Sequence, residues 1–160
     1  MDYRFMEDSL DFTGKIICCG PASSGTRYLA KLVRESLGQE GAYHQAMPHD
    51  GSKWWTHNDF PGARFVVIQR RPDVTQLSVI GHGHTESYES ARRDWEIAIY
   101  RLAAIPGAYW LTYEALMADP LTQLDNLAAW LGVTVLEYPT PKNGSTKWLS
   151  YLENKKRFEL

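Results

Sequence analysis

The stretch Lys15-Ile-Ile-Cys-Cys19-Gly20-Pro-Ala-Ser-Ser-Gly25-Thr-Arg-Tyr-Leu29 decides the fold. Its first five residues are a short apolar run of β-formers ended by Gly20-Pro21, which predicts a buried strand. Beyond the turn Ala22-Ser-Ser-Gly25, the apolar residues Tyr28, Leu29, Leu32, Val33 and Leu37 recur at helical spacing until Gly38. A strand that enters a helix through such a turn is half of a βα unit. The turn also directs backbone N–H groups outward, and the helix dipole adds positive potential, so an anion is favoured there. Gly20 and Gly25 have the spacing of a nucleotide phosphate loop, although Thr26-Arg27 stands where Lys-Ser/Thr is expected. A tight βα turn with capping serines would use the same residues, so the motif alone leaves both readings open.

Outward from this unit the alternation continues. Arg64-Phe-Val-Val-Ile-Gln69 predicts a second buried strand, cut off by Arg70-Arg71-Pro72, and Tyr109-Trp-Leu-Thr-Tyr113 a third. A short helix is expected over 73–80, ended by the Gly81-His-Gly-His84 turn. Thr85 is the expected N-cap of a long helix with the stripe Tyr88, Ala91, Trp95, Ile99 and Leu102. Asp119 and Pro120 open another, in which Leu121, Leu124, Leu127, Ala128 and Leu131 share a face before Gly132. Residues 39–62 lack a sustained period and read as loop, and the tail from Val133 as irregular with a last helical turn around Trp148. Strands separated by helices imply an α/β fold, a three-layer α/β/α with a central parallel sheet. The 160 residues fit a single domain over 1–160.

Charge and composition narrow the partners. A formal net charge of −2 argues against general nucleic-acid or anionic-membrane binding. No run approaches the ~18 apolar residues of a membrane span. The N-terminal residues mix acids into every apolar patch and lack the apolar core of a signal peptide, so a cytoplasmic location is expected. Cys18 and Cys19 are adjacent, cannot form a cross-linking framework and read as reduced strand residues. His82 and His84 flank a glycine without a third ligand, so no metal site is expected.

A second anion signal lies at Arg70-Arg-Pro-Asp-Val-Thr-Gln-Leu-Ser78, which follows a strand. Ligands of open parallel sheets collect at the carboxyl ends of the strands, so Arg70 can meet the same ligand as the glycine-rich turn. A guanidinium with a hydroxyl from the following helix suits a phosphate monoester.

Taken in order, Ser24-Gly25-Thr26, Trp55-Thr56-His57, Arg70 to Ser78, Tyr113-Glu114, Asp119-Pro120 and Trp130-Leu-Gly132 resemble the sulfotransferases that use 3′-phosphoadenosine 5′-phosphosulfate (PAPS) and release the bisphosphate PAP. The resemblance runs from Ile16 to Trp148. It implies that Ser23, Ser24, Gly25, Thr26 and Arg27 wrap the 5′-phosphosulfate and that Arg70 and Ser78 hold the 3′-phosphate. Tyr113 matches a position approaching the adenine. Tyr28 falls either against the adenine or in the core of the helix's first turn. Lys142, Asn143 and Gly144 resemble the loop that closes over the 3′-phosphate. His57 matches the general base, which takes the acceptor's proton as the nucleophile attacks. Ser23 replaces the family's basic residue before Ser-Gly-Thr, and Arg27 is the cation available to stabilise the leaving phosphate in its place. The acceptor is expected to be a small hydroxyl or amine compound, aromatic or sugar-like if Trp54, Trp55, Trp95 and Tyr88 wall its pocket. Two other readings share these residues: a P-loop kinase or nucleotide hydrolase, and a non-catalytic nucleotide-binding relative.

Overall fold

The computed structural model describes residues 11–139. Four parallel strands, β1 (Ile16–Pro21), β2 (Ala42–Met47), β3 (Arg64–Gln69) and β4 (Tyr109–Thr112), form one sheet in the order β2-β1-β3-β4. The registers Ile16↔Ala42, Ile16↔Arg64 and Val66↔Tyr109 bring the carboxyl ends of all four to one edge. From β1 the chain runs to one side to make β2, then crosses back to make β3. The crevice between the ends of β1 and β3 is therefore the switch point of the sheet.

Alternation of side chains along β1 splits the core into two layers. Ile16 and Cys18 point to one face, where they join Leu29 and Val33 of α1 (Thr26–Glu35), Leu116 of α4 (Tyr113–Ala118) and Leu124 and Leu127 of α5 (Pro120–Leu131). Ile17 and Cys19 point to the other, with Met47, Trp55, Val67 and Ala98 and Leu102 of α3 (Tyr88–Ala103). Helices thus cover both faces of a parallel sheet, the α/β/α arrangement expected. Both cysteines are buried free thiols. Burial pushes the Cys18 thiol up to about 12 and raises that of Cys19 as well, so they pack as small hydrophobes.

Four details differ from the sequence expectation. The stretch 39–62 holds the edge strand β2. Its residues Ala-Tyr-His-Gln-Ala-Met lack an apolar run because only Ala42 and Met47 are buried. The short helix α2 spans Pro72–Gly81, with proline in its first turn. The cap of α3 is Ser87, whose hydroxyl accepts from the Ser90 amide at 3.1 Å, rather than Thr85. Tyr113 begins α4 instead of ending β4, since the Thr112 hydroxyl accepts from the Ala115 amide and caps a helix there. Among the described residues no helix is long and apolar enough to cross a membrane. The expected helical turn near Trp148 lies outside them.

Gly20 sets how closely β1 and β3 approach before the crevice opens. A Cβ on it would stand 2.2 Å from the Ile68 carbonyl oxygen, a backbone atom that cannot swing aside. Gly20→Ala is expected to lower stability by about 2 kcal/mol or more, the upper range for overpacking, read as a drop in the urea midpoint.

Candidate functional site

Above the crevice, the described structure has a cleft of about 350 Å³, large enough for a small ligand. One wall is the β1–α1 turn. Ser23 is left-handed at φ 65° and Gly25 at φ 97°, so successive backbone groups curl into a concave, anion-binding shape. Gly25 also caps α1. No side-chain cap is bonded there, and the first turn holds no acid. The positive end of the helix dipole is therefore left to whatever occupies the cleft.

The end of β3 supplies the second wall. Arg70 is buried; its Nη1 donates to the Ser23 carbonyl at 3.1 Å, and its guanidinium lies 4.5 Å over the ring of Tyr113. Burial lowers the Arg70 pKa, while the neighbouring Tyr113 and Glu114 work the other way, and the group stays cationic. Ser78, one turn from the end of α2, is buried and lines the same cleft. Glu114 accepts from the Arg71 amide at 2.8 Å and ties the start of α4 to the start of α2.

The fold thus gathers Ser23, Gly25, Thr26, Arg27, Arg70 and Ser78 on one cleft. Three other expected residues have different surroundings. Ser24 is buried, with its Oγ lacking a hydrogen-bond partner among the described residues. Tyr28 packs against the α1-side core, where burial raises its hydroxyl pKa, so of its two readings the structure favours core. Tyr113 is buried beneath Gly25 and Arg70 instead of facing the cleft. Lys142, Asn143 and Gly144 lie outside the described residues.

His57 lies away from this cleft. It opens a single 3₁₀ turn, His57–Asp59, and its ring stands 6.5 Å from that of Phe65 at the start of β3. Its surroundings include Pro61, Ile105 and Pro106, all at the amino-terminal edge of the sheet. A six-residue strand, roughly 20 Å, separates that edge from the β1–α1 turn. Trp55 and Thr56 are committed elsewhere: the Trp55 indole donates to the Ala46 carbonyl at 2.7 Å, and Thr56 caps the 3₁₀ turn.

The other four histidines, unremarkable in sequence, all line the cleft: His44, His49, His82 and His84. The first pair comes from β2 and its end, with ring centroids 5.4 Å apart, and the second from the turn after α2, 6.1 Å apart. Burial, and then the charges of Arg27 and His49, lower the pKa of His44. The Met47 carbonyl accepts from the Ala22 amide at 3.1 Å and ties the end of β2 to the β1–α1 turn. The signal that exposes these residues is a missing strand. A structureless 24-residue loop is uncommon inside a compact α/β domain, and a strand within it would carry His49, just past its end, to the carboxyl edge.

The expected aromatic wall is dispersed. Trp55 is in the core, Trp54 lies 5.3 Å from the Arg101 guanidinium, and Tyr88 is exposed. Trp95 alone of the four lines an apolar slot that adjoins the cleft and shares Ala22, Pro48, Gly51 and His84 with it. Among the described residues no group of three or more His, Cys, Asp or Glu is arranged to hold a metal ion.

No protein-family model and no curated protein matches the sequence. Solved structures do. The chain is similar to mouse sulfotransferase SULT7A1 complexed with PAP, at 16% identity and a TM-score of 0.54 over 81% of this chain and 62% of that one. It is also similar to a sulfotransferase from Alicyclobacillus acidocaldarius, at 15% identity and a TM-score of 0.41 over 83% of this chain and 70% of that one. The fold is sulfotransferase-like, and the chain spans 62% of the length of the mouse protein it matches.

Gly25 is bound by two constraints at once, its φ of 97° and a Tyr113 ring carbon 2.9 Å from where a Cβ would lie. Gly25→Ala is expected to weaken anion binding and to lower stability by about 1 kcal/mol or more. Thermal melts and titration with pyrophosphate read the two effects separately.

Proposed function

We propose that this protein is a PAPS-dependent sulfotransferase. The observation that carries the reading is one cleft lined by two anion stations from different strands: the uncapped start of α1 after β1, and Arg70 with Ser78 after β3. A nucleotide bearing phosphoryl groups at two positions of its ribose matches that division. The sulfotransferase-like fold supports the reading, and one similar structure is described as complexed with PAP.

When bound, the donor supplies a sulfuryl group joined to a phosphate that can leave. In this reading the α1 first-turn amides, Thr26 and Arg27 carry the charge of that phosphate, and Arg27 takes the place of the family's missing basic residue. His49 is the base. It follows Pro48 directly after β2, lines the cleft with Ser23 and Thr26, and has a buried Nδ1 without a hydrogen-bond partner among the described residues. As the acceptor oxygen bonds to sulfur and the sulfur–phosphate oxygen bond breaks, His49 receives the acceptor's proton. The acceptor is a small hydroxyl or amine compound seated against the Trp95 slot. As it stands that slot holds about 10 Å³, room for a water, so the acceptor rests at its mouth.

Donor choice tests the reading first. PAP is expected to bind without magnesium and at least about tenfold tighter than ADP, equivalent to about 1.4 kcal/mol. Ser78→Ala should weaken PAP and leave ADP nearly unchanged. Equal affinities, or strict dependence on magnesium, favour a kinase instead.

Assignment of the base is tested by turnover. His49→Ala should reduce PAP release in the presence of acceptor by roughly 10²-fold or more, with little change in PAP affinity. His57→Ala should behave as wild type. The reverse pattern overturns the assignment.

A further inference from the structure

The turn Gly81-His-Gly-His84 has no role in the reading above, yet both its histidines line the cleft beside Arg70 and Ser78. His82 Nδ1 lies 2.7 Å from the Ser78 carbonyl oxygen and 3.3 Å from the Ser78 hydroxyl. A carbonyl oxygen only accepts, so Nδ1 carries a proton, and Nε2 is the atom that gains or loses one. The ring is thereby locked to the same residue that faces the second anion station. His84 spans toward the opposite wall: its Nδ1 is 2.9 Å from where a Cβ on Gly51 would stand. Glycine at 51 gives that imidazole its room.

The charges around this pair come from every side of the cleft. Arg70 stands at the end of β3, Arg27 on α1, and His44 and His49 on β2 and its end. Two acids oppose them. Asp50 lies 3.6 Å from His49 Nε2 and 3.8 Å from Lys53 Nζ, so its charge is shared, while Asp94 of α3 lines the adjoining slot with His84. The two arginines disfavour an imidazolium in the cleft; a dianionic phosphoryl group at Arg70 and Ser78 offsets their charge and, acting in the same direction as the two acids, favours an imidazolium beside it.

We propose that His82 and His84 belong to the second anion station and that the cleft takes up a proton when it binds a ligand phosphorylated there. This rests on the reading of the cleft as a site for a ribose 3′,5′-bisphosphate. The linkage has a definite sign: a group protonated in the complex and neutral in the free protein makes affinity rise as pH falls through neutrality. The rise ends near pH 6, where the phosphate monoester itself begins to protonate.

The experiment is calorimetry of the full chain with PAP at pH 7.2 in PIPES and in Tris, whose ionisation enthalpies differ. About half a proton or more should be taken up per PAP bound, and affinity should be about tenfold tighter at pH 6.2 than at pH 8.2. Adenosine 5′-monophosphate, which lacks the 3′-phosphate, should show less uptake. The double variant His82→Gln, His84→Gln should lose most of the uptake and flatten the pH dependence. His84→Gln alone leaves the His82–Ser78 contact in place and should lose part of it. Binding of PAP without net proton uptake overturns the proposal, as does uptake unchanged in a folded double variant. Failure of PAP to bind at any pH overturns the bisphosphate reading itself, which keeps the two failures distinct.

Discussion

The ring of Tyr113 is the contact on which the carboxyl edge of the sheet depends. It stands under Gly25 on one side and under the Arg70 guanidinium on another, and Arg70 in turn donates to the Ser23 carbonyl. Loops from β1, β3 and β4 are therefore joined through one aromatic ring. The arrangement explains why Gly25 has no side chain and why the cation stays in place although burial disfavours its charge. It sets Tyr113 beneath the glycine-rich turn, whereas the family resemblance implies a place near the adenine.

A chain with a net charge of −2 concentrates its cations here by geometry. The open end of α1, Arg27 and Arg70 converge on one cleft, and Asp50 at its rim is shared between His49 and Lys53. The overall balance set by acidic residues elsewhere does not cancel a local field within a Debye length of the ligand. The slot beside Trp95 adds an apolar surface next to that field.

Much of the fold is legible because it is written in long-range hydrophobic patterning. β1, β3 and α5 are bounded by unambiguous residues: apolar runs, Gly20-Pro21, Arg71-Pro72 and Asp119-Pro120. β2 escapes because an edge strand buries little, and Tyr43 and His44 obey no apolar period. With β2 hidden, Trp55-Thr56-His57 is the segment of sequence that resembles the base motif. Tripeptide similarity carries no information about which end of the sheet a residue occupies. That the glycine-rich turn and Arg70 with Ser78 share the carboxyl edge is readable in the sequence, since each is tied to the end of a recognisable strand. The histidines are not, because their meaning comes from the loops that converge on the cleft.

The paired thiols at the middle of β1 have a separate use. Cys18 and Cys19 are fully shielded between the two core layers, and burial disfavours both thiolates. Reaction with an alkylating or disulfide reagent needs the thiolate and access to it, so it waits for the sheet to open. The two sulfurs act as an internal clock for global opening, silent to fluctuations of the loops around the cleft. Their raised pKa also has a thermodynamic sign. Above the ordinary thiol range the unfolded chain ionises first, so the sheet loses stability as pH rises, and the clock runs faster in alkali for two independent reasons.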